Sequence, residues 1–411
     1  MNSILFRDVQ VWDASRAESE PGMHVLVEGD RIKEVSDRPI SVADALTIDG
    51  VGKTLIPGLI DCHCHVTMTS VNIRQLEEEP LTLMTAEASI MLRDMLMRGF
   101  TSIRDLAGAD WGLAEAVERK LLTGPRVFFA GRALTQTGGH GDFRRRTQGL
   151  EPCGCGNALS NSAVIADGVS EVRRAAREEL RKGANQVKVM VSGGVASPYD
   201  PIDNKQYSTE ELMAIVEEAS AWNTYVAAHS YTPRSSQHAV ECGVRTIEHG
   251  NLIDVETANA MAKHKAFLVP TLITYDAMDR NGAALGLPQA SIHKLQKVKD
   301  EGFNAVSLCR EAGVKVGFGT DLLGGLQSEQ SVGFRTQNEV DSNRDVLVSA
   351  TSVNAEILNR QDELGFIGAG AKADLLLVDG DPLIDLSLLV EPERGLAVIM
   401  KDGEFYKKNL Q

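Results

Sequence analysis

Apolar and polar positions along the chain change their period twice. Residues 1–56 carry short alternating runs, "SILFRDVQVWD", "GMHVLVEGDRIKEV" and "ALTIDG", and the far end repeats that style in "KADLLLVDGD" and "GLAVIMKDGEFY". Apolar runs closed by glycine-containing turns, Glu28-Gly29-Asp30-Arg31 in the first segment and Lys401-Asp402-Gly403-Glu404 in the last, predict β-hairpins. Neither terminal segment could bury a core by itself. Residues 1–56 and 367–411 are therefore expected to pair into one small β-sandwich domain.

Between them, residues 57–366 alternate apolar β-rich runs with helical patterns, which predicts parallel strands joined by helical crossovers. The candidate strands are "LIDCHCH", "TSIRD" at 101–105, "RVFFAG" at 126–131, "QVKVMV" at 186–191, "YVAAHS" at 225–230, "RTIEHG" at 245–250, "AFLVPT" at 266–271 and "VKVGFGTD" at 314–321. Helical stretches such as "SEVRRAAREELRKG" and "STEELMAIVEEASAW" fall between strands, each opening on a serine suited to an N-cap. Eight such units fit an α/β fold of the (β/α)8 barrel type better than an open sheet.

Composition narrows the function classes. At 411 residues the chain exceeds the length of a single growing core, so one large domain with a smaller companion is expected. Forty-two basic against 57 acidic residues give a net charge of -15 without a basic tract, which argues against a nucleic-acid partner. No run approaches the ~18 apolar residues that span a bilayer, and "MNSILFRDVQVWD" lacks an apolar signal core, so no membrane partner and a cytoplasmic location are expected. Six cysteines are too sparse for a disulfide framework. Cys153-Gly154-Cys155 has no second pair to complete a zinc site and reads as a loop feature without a catalytic role.

The chemistry begins at Asp61-Cys62-His63-Cys64-His65. In an extended strand successive side chains face opposite ways, so Asp61, His63 and His65 share one side and the two thiols the other. If the histidines face a barrel interior, the thiols pack outward as small apolar residues. Further polar residues fall on other apolar strands: Lys188 inside "QVKVMV", His229 near the end of "YVAAHS", His249 near the end of "RTIEHG" and Asp321 closing "VKVGFGTD". In a barrel the C-terminal strand ends form the active face, so five strands would bring these six side chains together. A lysine turned inward without a partner is expensive to bury. The plainer alternatives are that Lys188 points outward or pairs with Asp105.

This pattern resembles the amidohydrolase superfamily in its two-metal form, whose PGxIDxHxH signature reads "PGLIDCHCH" from Pro57 to His65. The resemblance covers nearly the whole chain. It implies that His63 and His65 bind the more buried metal with Asp321, that Lys188 carries a CO2-derived carbamate bridging two divalent ions, and that His229 and His249 hold the second ion. Zinc suits this nitrogen and oxygen set, and ligand type does not exclude manganese or cobalt. The mechanism implied is metal-assisted hydrolysis, in which an acidified water attacks a polarised carbonyl and Asp321 shuttles its proton to the leaving group.

Two loop residues narrow the branch. "TQTGGHGD" places His140 in a glycine-rich loop, and Tyr231 follows the His229 strand in "HSYTP". Both resemble the imidazolonepropionase-related branch that contains prolidases and metal-dependent carboxypeptidases, where the matching residues contact substrate. Imidazolonepropionase itself is disfavoured by Lys188, and a deaminase by the lack of a suitably placed HxE-type acid/base. "SGGVASPYDP" at 192–201 reads as a flexible loop over the site, with Asp200 its only charge. The reading is an enzyme acting on short peptides with a free C-terminal carboxylate, foremost an Xaa-Pro dipeptidase. Its alternatives are a carboxypeptidase or N-acyl amino acid amidohydrolase and, from another class, a non-catalytic metal-binding scaffold. Homo-oligomerisation is left open.

Overall fold

A computed structural model describes residues 3–76, 79–144, 162–197 and 199–410, so Cys153-Gly154-Cys155 lies outside the described residues, as does residue 198 of the 192–201 loop. The chain opens with β1 (Ser3–Val11), β2 (Glu20–Glu28), β3 (Arg31–Ser36), β4 (Leu46–Asp49) and β5 (Thr54–Pro57). Then come β6 (Leu59–Cys64), β7 (Phe100–Asp105), β8 (Arg126–Phe129), β9 (Ala133–Thr135), β10 (Ala163–Ile165), β11 (Val187–Met190), β12 (Val226–Ser230), β13 (Thr246–His249), β14 (Phe267–Val269) and β15 (Lys315–Val316). It ends with β16 (Leu375–Val378), β17 (Leu396–Lys401) and β18 (Glu404–Lys408).

Both chain ends share one sheet, ordered β18-β17-β16-β5-β1-β2-β3 with β4 on β1. The join is the antiparallel β5–β16 pair, in which Pro57 faces Leu375 and Thr54 faces Val378. Period two then divides the side chains of β16 between two cores. Leu375 and Leu377 pack with Phe6, Val27 and Met400, while Leu376 and Val378 pack with Phe100 of β7 and with Leu92 and Leu96 of the helix Leu81–Met97.

The remaining strands are parallel, in two sheets ordered β6-β7-β8 and β10-β9-β11-β12-β13-β14-β15. Backbone bonds connect the two sheets. Asn185 N–H donates to Phe129 O at 2.8 Å on one side, and Cys62 N–H donates to Phe318 O at 2.9 Å on the other. The expected strand 314–321 is regular only over Lys315–Val316. Beyond it, the backbone runs so close to its neighbours that a Cβ on Gly317 would lie 2.5 Å from Asn354 Oδ1, and one on Gly319 2.8 Å from His63 Cβ. Glycine permits that approach at the cost of a regular ladder.

Two further departures from the sequence reading have local causes. Strands β9 and β10 are three residues each, too short to show a period. The helix Val169–Arg181 has Gly168, at φ 80°, as its N-cap in place of the expected Ser170. Gly168 N–H instead donates to Glu211 Oε1 at 2.6 Å, while the other carboxylate oxygen of Glu211 completes the capping box of Ser208 on the helix Thr209–Ala221. Among the described residues no helix is long and apolar enough to cross a membrane.

Candidate active site

Strands β6, β11, β12 and β13, with the segment after β15, end at one cleft. All eight residues singled out in the sequence line it: His63, His65, His140, Lys188, His229, Tyr231, His249 and Asp321. Three of the strand-end residues around it, His249, Thr271 and Asp321, adopt left-handed backbone at φ 75°, 49° and 50° without being glycine. Such conformations cost energy and persist where the surrounding structure holds them. Asp321 is held by its own N–H, which donates to His63 O at 2.7 Å, and by its carbonyl, which accepts from Thr274 Oγ1 at 2.9 Å.

Each of the four strand imidazoles commits one nitrogen to a fixed partner. His63 Nδ1 donates to Glu248 Oε2 at 2.9 Å, His65 Nδ1 to Ala107 O at 3.1 Å and His229 Nε2 to Gly193 O at 3.2 Å. His249 Nδ1 lies 2.8 Å from Thr271 Oγ1 and 3.0 Å from Tyr275 OH. The second nitrogen of each ring is left for the cleft. Two of these meet Asp321 Oδ1, at 3.5 Å from His63 Nε2 and 3.1 Å from His65 Nε2. Ligand atoms of His63, His249 and Asp321 all lie within 4.8 Å of one another. Rings oriented through one nitrogen, with the other beside a carboxylate, fit a divalent cation site.

Burial and like charge set the electrostatics. Burial, reinforced by Lys188, pulls the His63 imidazolium well below its ordinary range, and burial takes His249 down to about 3. Both rings are neutral at pH 7, the form that binds metal. Burial pushes the Asp321 carboxyl up, but His63, His65 and His249 together outweigh it and hold the group well below the usual carboxylate range. Lys188 is 1% exposed, with no carboxylate in ion-pair distance among the described residues. Burial takes its amine down to about 8 despite Glu248 and Asp321, which favour the charged form.

His140 and Tyr231 complete the wall. The His140 ring stacks on His229 with centroids 4.1 Å apart, and its Nδ1 lies 2.7 Å from Ser197 Oγ and 3.4 Å from Asp200 Oδ2. Tyr231 stacks on His249 at 5.1 Å and an interplanar angle of 10°. Asp200 thus faces His140 and the Gly194 N–H, which donates to its Oδ2 at 3.0 Å. The loop is tied from outside by Lys294, whose Nζ donates to the carbonyls of Gly194, Ser197 and Asp200.

The profile described as the Amidohydrolase family matches residues 54–405. The chain belongs to the amidohydrolase family. A solved prolidase in complex with N-methylphosphonate-L-proline is 48% identical, with a TM-score of 0.96 over 99% of this chain and all of that one. A solved Xaa-Pro dipeptidase with bound methionine is 26% identical, with a TM-score of 0.87 over 99% of this chain and 100% of that one. Ochratoxinase of Aspergillus niger is 32% identical over 365 residues, 86% of this chain and 75% of its own length. This amidohydrolase is accordingly a hydrolytic enzyme, in a family that is generally metal-dependent.

Three buried residues of the amidohydrolase escaped the sequence reading. Glu248, one residue before His249, accepts from His63 on one oxygen and from Arg104 Nη2 at 2.8 Å on the other. Arg104, fully buried on β7, also donates to Cys62 O at 2.6 Å and Thr246 Oγ1 at 3.2 Å. The argument applied to Lys188, a charge inside an apolar strand, could have found both. Tyr275, beyond "AFLVPT", carries no such signal. Asp105 does not pair with Lys188: its oxygens accept the N–H groups of Val66, Ala107 and Ala109, and burial pushes its carboxyl up to about 6. The thiols of Cys62 and Cys64 are buried away from the cleft, donating to Asn354 O and Arg104 O.

Proposed function

We propose that this amidohydrolase is a binuclear metal-dependent dipeptidase that cleaves Xaa-Pro bonds. The observation that carries the substrate assignment is 48% identity over the whole chain with a prolidase solved with a proline phosphonate. In this reading His63, His65 and Asp321 would hold one ion and His229 and His249 the other, with Lys188, as its carbamate, a further oxygen ligand. Two divalent ions, zinc foremost, would supply Lewis acidity for a water and a carbonyl. The fold around them is a closed (β/α)8 barrel over 57–366 with a β-sandwich from 1–56 and 367–411, a closure supported by the bonds from β6 to Phe318, Thr320 and Asp321.

The residues of the chain divide the remaining work. Asp321, held ionised, takes the proton of the attacking water at a carboxylate oxygen and passes it to the leaving nitrogen. His140 and Tyr231 donate hydrogen bonds to the scissile carbonyl oxygen or to the substrate carboxylate. Met68, Ile73, Phe143, Met190, Met278 and Leu323 give the cleft an apolar wall that excludes water and accepts an apolar acyl side.

The test is turnover of an Xaa-Pro dipeptide library by the zinc-loaded chain, beside Xaa-Lys, Xaa-Arg and N-acyl amino acids. Fastest turnover is expected where proline follows the cleaved bond and an apolar residue precedes it. Preference for basic C-terminal residues would replace the assignment with a carboxypeptidase. The second reading, an N-acyl amino acid amidohydrolase, is favoured by the apolar wall and the 32% identity with ochratoxinase, and faster cleavage of N-acyl substrates would establish it. Two bound ions without turnover of any amide would leave a metal-binding scaffold.

A further inference from the structure

We propose that Tyr275 is a positioning residue that fixes the direction in which the Tyr231 hydroxyl donates, completing a one-way hydrogen-bond chain from His249 to the substrate oxygen. The inference rests on the roles given above to His249 and Tyr231. Tyr275 sits on the short helix Leu272–Ala277 and is 1% exposed. Its hydroxyl oxygen lies 3.0 Å from His249 Nδ1, 3.1 Å from Tyr231 OH and 3.4 Å from Thr271 Oγ1.

The proton count sets the direction. His249 Nδ1 lies within hydrogen-bond distance of Thr271 and Tyr275 and 3.9 Å, beyond that distance, from Asp321 Oδ2, so in this reading Nε2 is the nitrogen left for a cation. An imidazole that binds through Nε2 carries its hydrogen on Nδ1, and the oxygens of Thr271 and Tyr275 both stand as acceptors for it. Tyr275 then has one hydrogen of its own, and the Tyr231 oxygen at 3.1 Å accepts it. A phenol oxygen that accepts from one side turns its own hydrogen to another. For Tyr231, whose ring is fixed against His249 and lines the cleft, that other side is the cleft. Without the hydroxyl of Tyr275, no donor on that side orients the Tyr231 hydroxyl toward the cleft.

The metal-loaded full chain is compared as wild type, Tyr275→Phe, Tyr231→Phe and the double variant. Three readouts are taken: kcat and KM on an Xaa-Pro dipeptide, Kd for N-methylphosphonate-L-proline by calorimetry, and metal content. Tyr275→Phe is expected to lower kcat about tenfold, with KM within about twofold, since an interaction made in the transition state is weakened. It is expected to weaken phosphonate binding as well, with metal content unchanged. The double variant should be no worse than Tyr231→Phe alone, because two residues acting through one hydroxyl are not additive. Additive losses, an unchanged Tyr275→Phe, or metal lost from Tyr275→Phe would each overturn the proposal. Tyr275→Met repeats the test if the phenylalanine chain does not fold. A silent Tyr231→Phe removes the role of Tyr231 itself and this inference with it, whereas an additive pair removes only the inference.

Discussion

Glu248 Oε2 stands 2.9 Å from His63 Nδ1 with both side chains buried, and the other oxygen of Glu248 is held by Arg104. Glutamine at 248 can accept from the imidazole or face the guanidinium, but its amide cannot accept from both. Glu248→Gln is therefore expected to weaken metal binding by about 10- to 100-fold, as loss of a partner behind a ligand does. It should also lower stability by about 3–5 kcal/mol, because Arg104 is left as an uncompensated buried charge. Chelator competition and denaturant unfolding measure the two effects. Unchanged metal affinity would remove Glu248 from the support of the site.

Lys188 must be neutral to react with CO2. With its amine taken down to about 8, the reactive form predominates above that pH and is lost below it. An ordinary lysine reaches the same fraction only near its usual value of about 10.4. Chain stripped of metal at low pH and returned to zinc at fixed dissolved CO2 should recover activity faster as pH rises from about 6 to 9, levelling above the amine pKa. A pH-independent recovery rate, or two ions bound by Lys188→Met, would rule out the carbamate ligand.

Gly194 adopts ordinary backbone, yet a Cβ there would fall 2.2 Å from His140 Cε1. Gly194→Ala must therefore move the His140 ring rather than strain the main chain. A loss of about 100-fold in kcat/KM is expected if His140 donates to the reacting oxygen, since removal of one such donor costs that much. Metal content and melting temperature should stay near the wild-type values. Full activity with a displaced ring would show His140 to be part of the wall only.

Lys294 joins three carbonyls of the 192–201 loop to the helix Gln289–Val298. Lys294→Met leaves them without that donor and loosens Asp200 behind His140. The expected outcome is a fall of about tenfold in kcat/KM, the scale of a misplaced substrate contact, with both ions retained. Susceptibility to protease cleavage within the loop should rise, and a loop as resistant as in wild type would contradict the clamp.

The metal-site candidates were legible because their signal is chemical incongruity: ionisable groups at the ends of apolar strands have few structural reasons to be there. Glu248 and Arg104 carry the same signal, but in an extended strand each faces the opposite way from its neighbour, His249 or Asp105, and sequence alone does not say which of the two faces is the inner one. Tyr275 and Lys294 could not be found this way. An aromatic and an amphipathic lysine on helices look like wall and surface, and only tertiary structure brings them against Tyr231 and Gly194. The eight strands expected between residues 57 and 321 were visible from their composition, the three-residue β14 among them, whereas the four-residue β5 was not. The three-residue β9 and β10 carry no such signal, and the sequence after β15 predicts one long strand because its glycines conceal how closely it approaches β6.

The alternation within Asp61-Cys62-His63-Cys64-His65 has a consequence for ion selectivity. The segment from the end of β6 through His65 carries imidazoles and thiols at alternate positions, so the register of the chain here decides which are offered to the cleft. A shift by one residue would present two thiols to the cleft and carry both imidazoles into the surrounding helices. The peptide groups of Cys62 and His63, locked to Phe318, Thr320 and Asp321, block that shift. Thiophilic ions such as cadmium or mercury thus find no thiolate within reach so long as that seam stays closed, and meet only the thioethers of the methionine wall.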